Sequence, residues 1–262
     1  MRKKISTIIL DWAGTTVDFG CIAPVNAFIK AFEAYDISPT IEETRAPMGM
    51  EKRAHVAKML DGERLASLWL EKYGRPHKKE DIYDIYERFE PALLKTLADF
   101  TELIPGVLET VQKIRDMGIV IGSTTGYTIE MMDIVIPCAR DKGYLPDHVV
   151  CPEDVGSGRP YPYMIWRNLV KLRVSDIREV VKIGDTIADI EEGKNAGCIS
   201  VGVLKGSSQL GLSEKEYEET SHSKLDILLA EAKKSYIKAG ADYVIDDITS
   251  LPELIKLINA SA

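Results

Sequence analysis

The stretch Ile8-Ile9-Leu10-Asp11-Trp12-Ala13-Gly14-Thr15-Thr16 sets the frame for the whole chain. An apolar run ends on a carboxylate, and a glycine with two hydroxyl residues follows, as expected for a buried strand that breaks into a tight loop. In an open parallel sheet, ligands gather beyond the carboxyl ends of the strands, so Asp11 stands where a carboxylate can meet a bound ligand and act on it as a nucleophile. A loop-capping Asp gives the same local pattern, because Asp-x-x-Gly turns are common.

From about residue 100, short β-rich runs alternate with helical stretches, which predicts an α/β fold with a Rossmann-like parallel sheet. Strands are expected at 5–10, 119–122, 148–151, 179–183, 200–203 and 243–245, and helices at 107–117, 128–142, 163–172 and 187–196. Residues 20–99 lack a convincing strand and are rich in Ala, Leu, Glu, Lys and Tyr at helical spacing. They read as an α-helical cap domain inserted after the first strand, with the core domain formed by 1–19 and 100–262. Pro105-Gly106 marks the return to the core. A second charged, helical insertion is expected at 206–240, decorating the core surface.

With 262 residues, 45% of them hydrophobic and 28% charged, the chain has the composition of a globular protein with a main core and a smaller appended domain. A formal charge of −8 and the absence of any Lys/Arg block argue against an extended nucleic-acid surface, though not against a local anion site. Met1-Arg2-Lys3-Lys4 has the charge of a signal-peptide start, but the apolar run after it is cut at Asp11 before an h-region forms. No stretch approaches a membrane span. Cys21, Cys138, Cys151 and Cys198 are scattered without metal or redox spacing, so reduced thiols in a cytoplasmic protein are expected. Cys21 lies near the Asp11 loop and reads as structural.

Three further segments sit at expected strand ends. Ile121-Gly122-Ser123-Thr124-Thr125-Gly126-Tyr127 brings hydroxyls and backbone N–H groups to a helix start, which suits either phosphoryl oxygens or simple helix capping. Gly156-Ser157-Gly158-Arg159-Pro160-Tyr161-Pro162 is a loop whose Pro160 suits the first turn of the next helix, and the planar fork of Arg159 suits bidentate contact with an oxyanion. Val181-Lys182-Ile183-Gly184-Asp185-Thr186-Ile187-Ala188-Asp189 ends a strand in G-D-T-x-x-D. Asp185 and Asp189 are four apart, so one helical turn would aim both carboxylates at one cleft.

In order and spacing these four segments resemble the motifs of the haloacid dehalogenase (HAD) superfamily across nearly the whole chain. The resemblance implies that Asp11 is the nucleophile, that Thr125 and Gly126 bind the phosphoryl group and that Arg159 is the neutralising cation. It further implies Mg²⁺ held by Asp11, the main-chain carbonyl of Ala13 and Asp185, with Asp189 supporting the network. One position departs from the superfamily's D-x-D-G-T loop, because Ala13 stands where its phosphatases carry the acid that protonates the leaving oxygen. Either the chain is inactive as a phosphatase, or its leaving group needs no acid there.

The segment Met48-Gly49-Met50-Glu51-Lys52-Arg53-Ala54-His55 supplies what the second case needs. Together with Ala13 it resembles the phosphonatases, the members of the superfamily that cleave a carbon–phosphorus bond. The implied reaction turns phosphonoacetaldehyde into acetaldehyde and phosphate, with Lys52 as a Schiff base that accepts the electrons of the broken bond. His55, three residues on, would share the face of Lys52 and shuttle protons. Gly49 suits close backbone approach to the ligand or a turn, and Met48 and Tyr127 match positions around the imine, where core packing is their rival role. Trp12 and Cys21 are secondary pocket candidates. The expected partner is a small-molecule phosphonate, and the resemblance implies a homodimer paired through the caps. The competing functions are a HAD phosphatase for a small phosphate ester, disfavoured by Ala13, and a silent HAD scaffold, for which a retained nucleophile would be unnecessary.

Overall fold

The computed structural model describes residues 4–260, so the basic start at 1–3 and the outermost ends of the expected core segments lie outside the described residues. The strands are β1 (Thr7–Leu10), β2 (Val120–Thr124), β3 (His148–Val150), β4 (Val180–Gly184), β5 (Ile199–Val203) and β6 (Tyr243–Ile245). They form one parallel sheet in the order β3-β2-β1-β4-β5-β6. The chain builds outward from β1 to β3, then returns to the other side of β1 for β4 to β6. This reversal opens a crevice at the carboxyl ends of β1 and β4, where Leu10 lies beside both Ser123 and Ile183. All four residues of β1 are buried, as a central strand covered on both faces requires.

Between β1 and β2 come α1 (Ile22–Glu33), α2 (Ile41–Arg45), α3 (Lys52–Leu60), α4 (Glu63–Tyr73) and α5 (Lys79–Leu94), followed by α6 (Val107–Asp116) of the sheet layer. Ala23, Ala27 and Ala31 recur every fourth residue on α1, and their small side chains let α5 come close while Phe28 and Phe32 fill the seam. The ring of Phe28 is stacked between Phe89 of α5 and His55 of α3, each centroid 3.9 Å away. These first five helices form the cap. The remaining helices are α7 (Ile129–Asp141), α8 (Tyr163–Leu172), α9 (Ile187–Ala196), α10 (Glu214–Glu219), α11 (His222–Ala239) and α12 (Leu251–Ala260).

Three local expectations are corrected. Glu179 closes a 3₁₀ turn rather than opening β4, because the Asp176 carboxylate accepts from Arg178 N–H and holds the turn. Pro160 precedes α8, whose N-cap is Pro162. The second insertion does more than decorate, since Tyr236 of α11 is fully buried and its hydroxyl donates to the carbonyls of Asp185 (2.5 Å) and Val203 (3.1 Å). Among the described residues no helix is long and apolar enough to cross a membrane.

Phe28→Ala should cost about 3–5 kcal/mol, because it empties a stacked, fully buried site at the α1–α3–α5 junction. Urea denaturation measures it. A loss under about 1 kcal/mol would show that the cap does not depend on this seam.

Candidate active site

Asp11 leaves β1 with its N–H on Ile183 O (3.0 Å), so its place is fixed by the sheet itself. The next turn closes on one carbonyl: the N–H groups of Thr15, Thr16 and Val17 all donate to Trp12 O, at 3.1, 2.7 and 3.1 Å. Trp12 is therefore structural. Its indole Nε1 donates to Ser123 Oγ (2.9 Å) and its ring packs edge-on against Tyr144, in the core rather than in a pocket.

Arg159 ties the crevice together. Nη2 donates to Asp11 Oδ1 (2.6 Å) and to Thr124 O and Oγ1 (both 2.9 Å), while Nε donates to Glu192 Oε2 (3.0 Å). Nη1 lies 3.0 Å from Asp189 Oδ1 and donates to Gly49 O of the cap at 3.4 Å. A second buried cation stands behind it, with Lys182 Nζ 2.7 Å from Asp189 Oδ1 and 3.5 Å from Glu192 Oε2. Burial opposes the charge of Arg159, but Asp11, Asp189 and Glu192 outweigh it and hold its pKa above the ordinary value. Burial likewise pushes Asp189 up, yet Arg159, Lys182 and Thr186 more than reverse that and leave it a stable carboxylate.

Asp185 and Asp189 converge for a reason other than one helical turn. Asp185 precedes Thr186, the N-cap of α9, and a capping box folds Asp189 back onto that residue: Thr186 Oγ1 and N–H donate to Asp189 Oδ2 at 2.6 and 3.2 Å. Carboxylate oxygens of Asp11, Asp185 and Asp189 lie within 4.8 Å of one another, all buried. Since Asp189 is committed to two cations and a cap, Asp11 and Asp185 remain as donors. Asp185 is oriented by Ser208 N–H on Oδ2 (2.8 Å) and Thr15 Oγ1 on Oδ1 (3.3 Å). Burial and the neighbouring Asp11 and Asp189 carboxylates push Asp185 well above the ordinary carboxylate range. Burial raises Asp11 too, with Arg159 and Lys182 offsetting part of it. Two buried oxygen donors with excess negative field fit a hard cation such as Mg²⁺, which needs only one or two carboxylates beside water and substrate.

The cap completes the site. A small cavity of about 20 Å³ is lined by Asp11, Ala13, Thr125 and Arg159 from the core and by Met48, Gly49 and Lys52 from the cap, together with Cys21, Gly126, Tyr127 and Thr186. The cap loop approaches closely enough that a Cβ on Gly49, at φ +88°, would overlap Thr186 Oγ1, so only glycine fits there. Facing it, a Cβ on Gly126 would lie 2.7 Å from Met50 O. The N–H of Tyr127 donates to Thr125 Oγ1 (3.0 Å).

Lys52 is the first residue of α3, 97% removed from solvent, with Nζ 4.8 Å from the Tyr127 ring centroid. Among the described residues no carboxylate forms an ion pair with it. Burial lowers its pKa, and Arg159 adds to this against the pull of Cys21, Asp11 and Glu51. The positive end of the α3 dipole acts in the same direction. His55 falls elsewhere. It is fully buried against Phe28, Nε2 donates to Thr44 O (2.9 Å), burial holds its pKa well below the ordinary value, and it does not line the cavity. A proton shuttle to the site is therefore not its place in this arrangement.

A profile for haloacid dehalogenase-like hydrolases matches residues 5–197, and a second HAD-like profile matches 157–251. The phosphonoacetaldehyde hydrolase of Bacteroides fragilis is 47% identical over 98% of this chain and 98% of its own length. That of Lysinibacillus sphaericus is 46% identical, covering 98% and 96%. This chain belongs to the phosphonoacetaldehyde hydrolase family of haloacid dehalogenase-like hydrolases. A bifunctional phosphonoacetaldehyde hydrolase/aminoethylphosphonate transaminase of Clostridioides difficile is 46% identical over 98% of this chain, which spans only 41% of that longer protein. The crystal structure of a phosphonoacetaldehyde hydrolase-like protein from Oleispira antarctica superposes with a TM-score of 0.95 at 37% identity, covering 99% of this chain and 94% of that one.

Two members of the charged network escaped the sequence reading. Lys182 lies in a strand paired on both sides, where a cation survives only if paired, so its presence in Val180-Val181-Lys182-Ile183-Gly184 was itself a signal. Glu192 is three residues after Asp189 on the buried face of α9. Lys182→Met should destabilise this family member by about 3–5 kcal/mol, because it leaves Asp189 and Glu192 to share one cation in a dry interior. Lys194→Met, which breaks a half-exposed pair with Asp242, should change stability by less than about 1 kcal/mol. Equal effects in chemical denaturation would contradict the buried network.

Proposed function

We propose that the protein hydrolyses phosphonoacetaldehyde to acetaldehyde and phosphate, with Lys52 forming an imine with the aldehyde and Asp11 accepting the phosphoryl group. The observation that carries this reading is that a buried amine, with no carboxylate ion-paired to it among the described residues, and a buried carboxylate line one small cavity between cap and core. The close similarity to phosphonoacetaldehyde hydrolases over the full chain supports the same substrate.

The Lys52 amine adds to the aldehyde carbon and water leaves, giving an iminium β to phosphorus. Asp11 attacks phosphorus, and the electrons of the C–P bond move onto the former α carbon as the bond breaks, forming an enamine. Protonation of that carbon and addition of water release acetaldehyde and restore Lys52. A second water cleaves the aspartyl phosphate, so one water is consumed in total. Arg159 stabilises the charge on the transferring oxygens from a fixed fork. Asp11, the Ala13 carbonyl and Asp185 would hold Mg²⁺, which would supply Lewis-acid neutralisation of the phosphoryl oxygens. Ala13 lines the cavity and contributes no acid, which disfavours an ester leaving group.

Borohydride added with phosphonoacetaldehyde should inactivate the enzyme and add mass to the peptide containing Lys52. Lys52→Arg should be inactive despite its retained charge, since a guanidinium stays protonated. Labelling of another lysine, or an active Lys52→Arg variant, would defeat the imine.

Because burial lowers the Lys52 pKa, its neutral form appears at lower pH than for an exposed lysine, and the rising limb of kcat/KM should follow it. Ala13→Asp puts a carboxylate beside the ammonium, raises that pKa and moves the limb to higher pH. Activity should fall most at neutral pH and recover in part as pH rises. A variant with an unchanged profile would make Ala13 incidental.

A further inference from the structure

Arg45 ends α2 in the cap, yet its guanidinium leaves the cap altogether. Nη1 donates to Gly20 O (2.8 Å) and Ser208 O (3.2 Å), and Nη2 donates to Gly211 O (3.1 Å). Gly20 belongs to the link between β1 and α1, whereas Ser208 and Gly211 belong to the loop after β5. The two segments also meet directly, through Gly20 N–H on Gly206 O at 2.7 Å. Gly211 has φ +64°, and a Cβ there would lie 2.8 Å from Arg45 Cζ and Nε, so this backbone is shaped for the guanidinium to lie against it.

Both ends of this contact lead to the active site. On the core side, Ser208 N–H donates to Asp185 Oδ2 (2.8 Å). On the cap side, Thr44, the residue before Arg45, accepts from His55 Nε2 (2.9 Å), three residues from Lys52 on α3. A carbonyl can only accept, so Nε2 carries the proton, and His55 acts as the pin between α2 and α3. The cavity around Lys52 and Asp11 is lined by both cap and core and so depends on how the cap is seated, and three charge-assisted bonds from one planar side chain are well suited to seat it.

We propose that Arg45 is the latch of the cap, a positioning residue that holds α2 on the loop at 206–212 and thereby sets both Lys52 and Asp185. Only its kinetic consequence rests on the proposed reaction.

The test compares wild type, Arg45→Met and Arg45→Lys by amide hydrogen exchange and by phosphonoacetaldehyde kinetics. In Arg45→Met, exchange should rise at 206–212 and across α2 while α1 and α5 keep their protection. KM should rise on the order of tenfold, with kcat changed by less than about threefold, because substrate is held between the core and the seated cap. Arg45→Lys should recover part of both effects, since an ammonium reaches fewer of the three carbonyls. Unchanged exchange at 206–212 would overturn the latch, as would loosening spread equally over α1 and α5. A loosened loop with unchanged KM would overturn its link to the active site. Should Arg45→Met fail to fold, Arg45→Lys is judged by the same criteria. If wild type does not turn over phosphonoacetaldehyde, the proposed reaction fails while the exchange result still decides the latch.

Discussion

The structure depends on one buried guanidinium. Arg159 connects the loop after β1, the end of β2 and two turns of α9, and it reaches the cap through Gly49 O. Taking a charge out of water costs several kcal/mol, and only near-complete pairing offsets it. Here three carboxylates, a threonine and a carbonyl supply that pairing. Arginine suits this task better than lysine, because its donors point in fixed directions and each direction has a partner. Lys182 then shares the load at Asp189 and Glu192, which keeps Asp189 ionised and occupied, while Asp11 lines the cavity with Asp185 beside it.

That division of labour lets two incompatible demands coexist. In the proposed reaction the core would concentrate negative charge to hold a cation and attack phosphorus, while the amine across the cavity would have to lose its proton to attack carbon. Separate elements meet these demands. Lys52 sits at the start of α3, where burial, Arg159 and the helix dipole all act against its charge, and the carboxylates nearest Arg159 are already committed to it. An aspartate at position 13 would join the same cavity and pull the other way. Cap and core approach closely at Gly49 and Gly126, where a Cβ would overlap Thr186 Oγ1 and Met50 O respectively.

The sheet was legible because its strands are apolar runs bounded by turn residues, and the candidate site was legible because Asp11, Thr125 and Asp185 directly follow strands and Arg159 precedes a helix, in a recognisable order. What the sequence could not display was long-range pairing. The convergence of Asp185 and Asp189 read as a helical repeat, whereas the capping box of Thr186 produces it. His55 shares a helix with Lys52, and spacing alone suggested a common cavity; tertiary packing against Phe28 and Thr44 took the ring inward. Trp12 was drawn into the core by Tyr144 and Ser123, residues more than a hundred positions away. Tyr236 and Arg45 act through backbone carbonyls, which leave no trace in residue type. The helical region at 206–240 therefore looked like decoration.

The central claim is that one cavity between cap and core brings a covalent amine at Lys52 to the substrate whose phosphorus faces Asp11. Nuclear magnetic resonance tests it most directly, using phosphonoacetaldehyde labelled with ¹³C at the aldehyde carbon, enzyme labelled with ¹⁵N at the lysine side chains, and Asp11→Asn to stop turnover. The bound carbon should lose its aldehyde signal and show one-bond coupling to a single lysine nitrogen, absent when Lys52 is replaced by Arg. Substrate held by the protein with an uncoupled aldehyde or hydrate carbon would contradict the account.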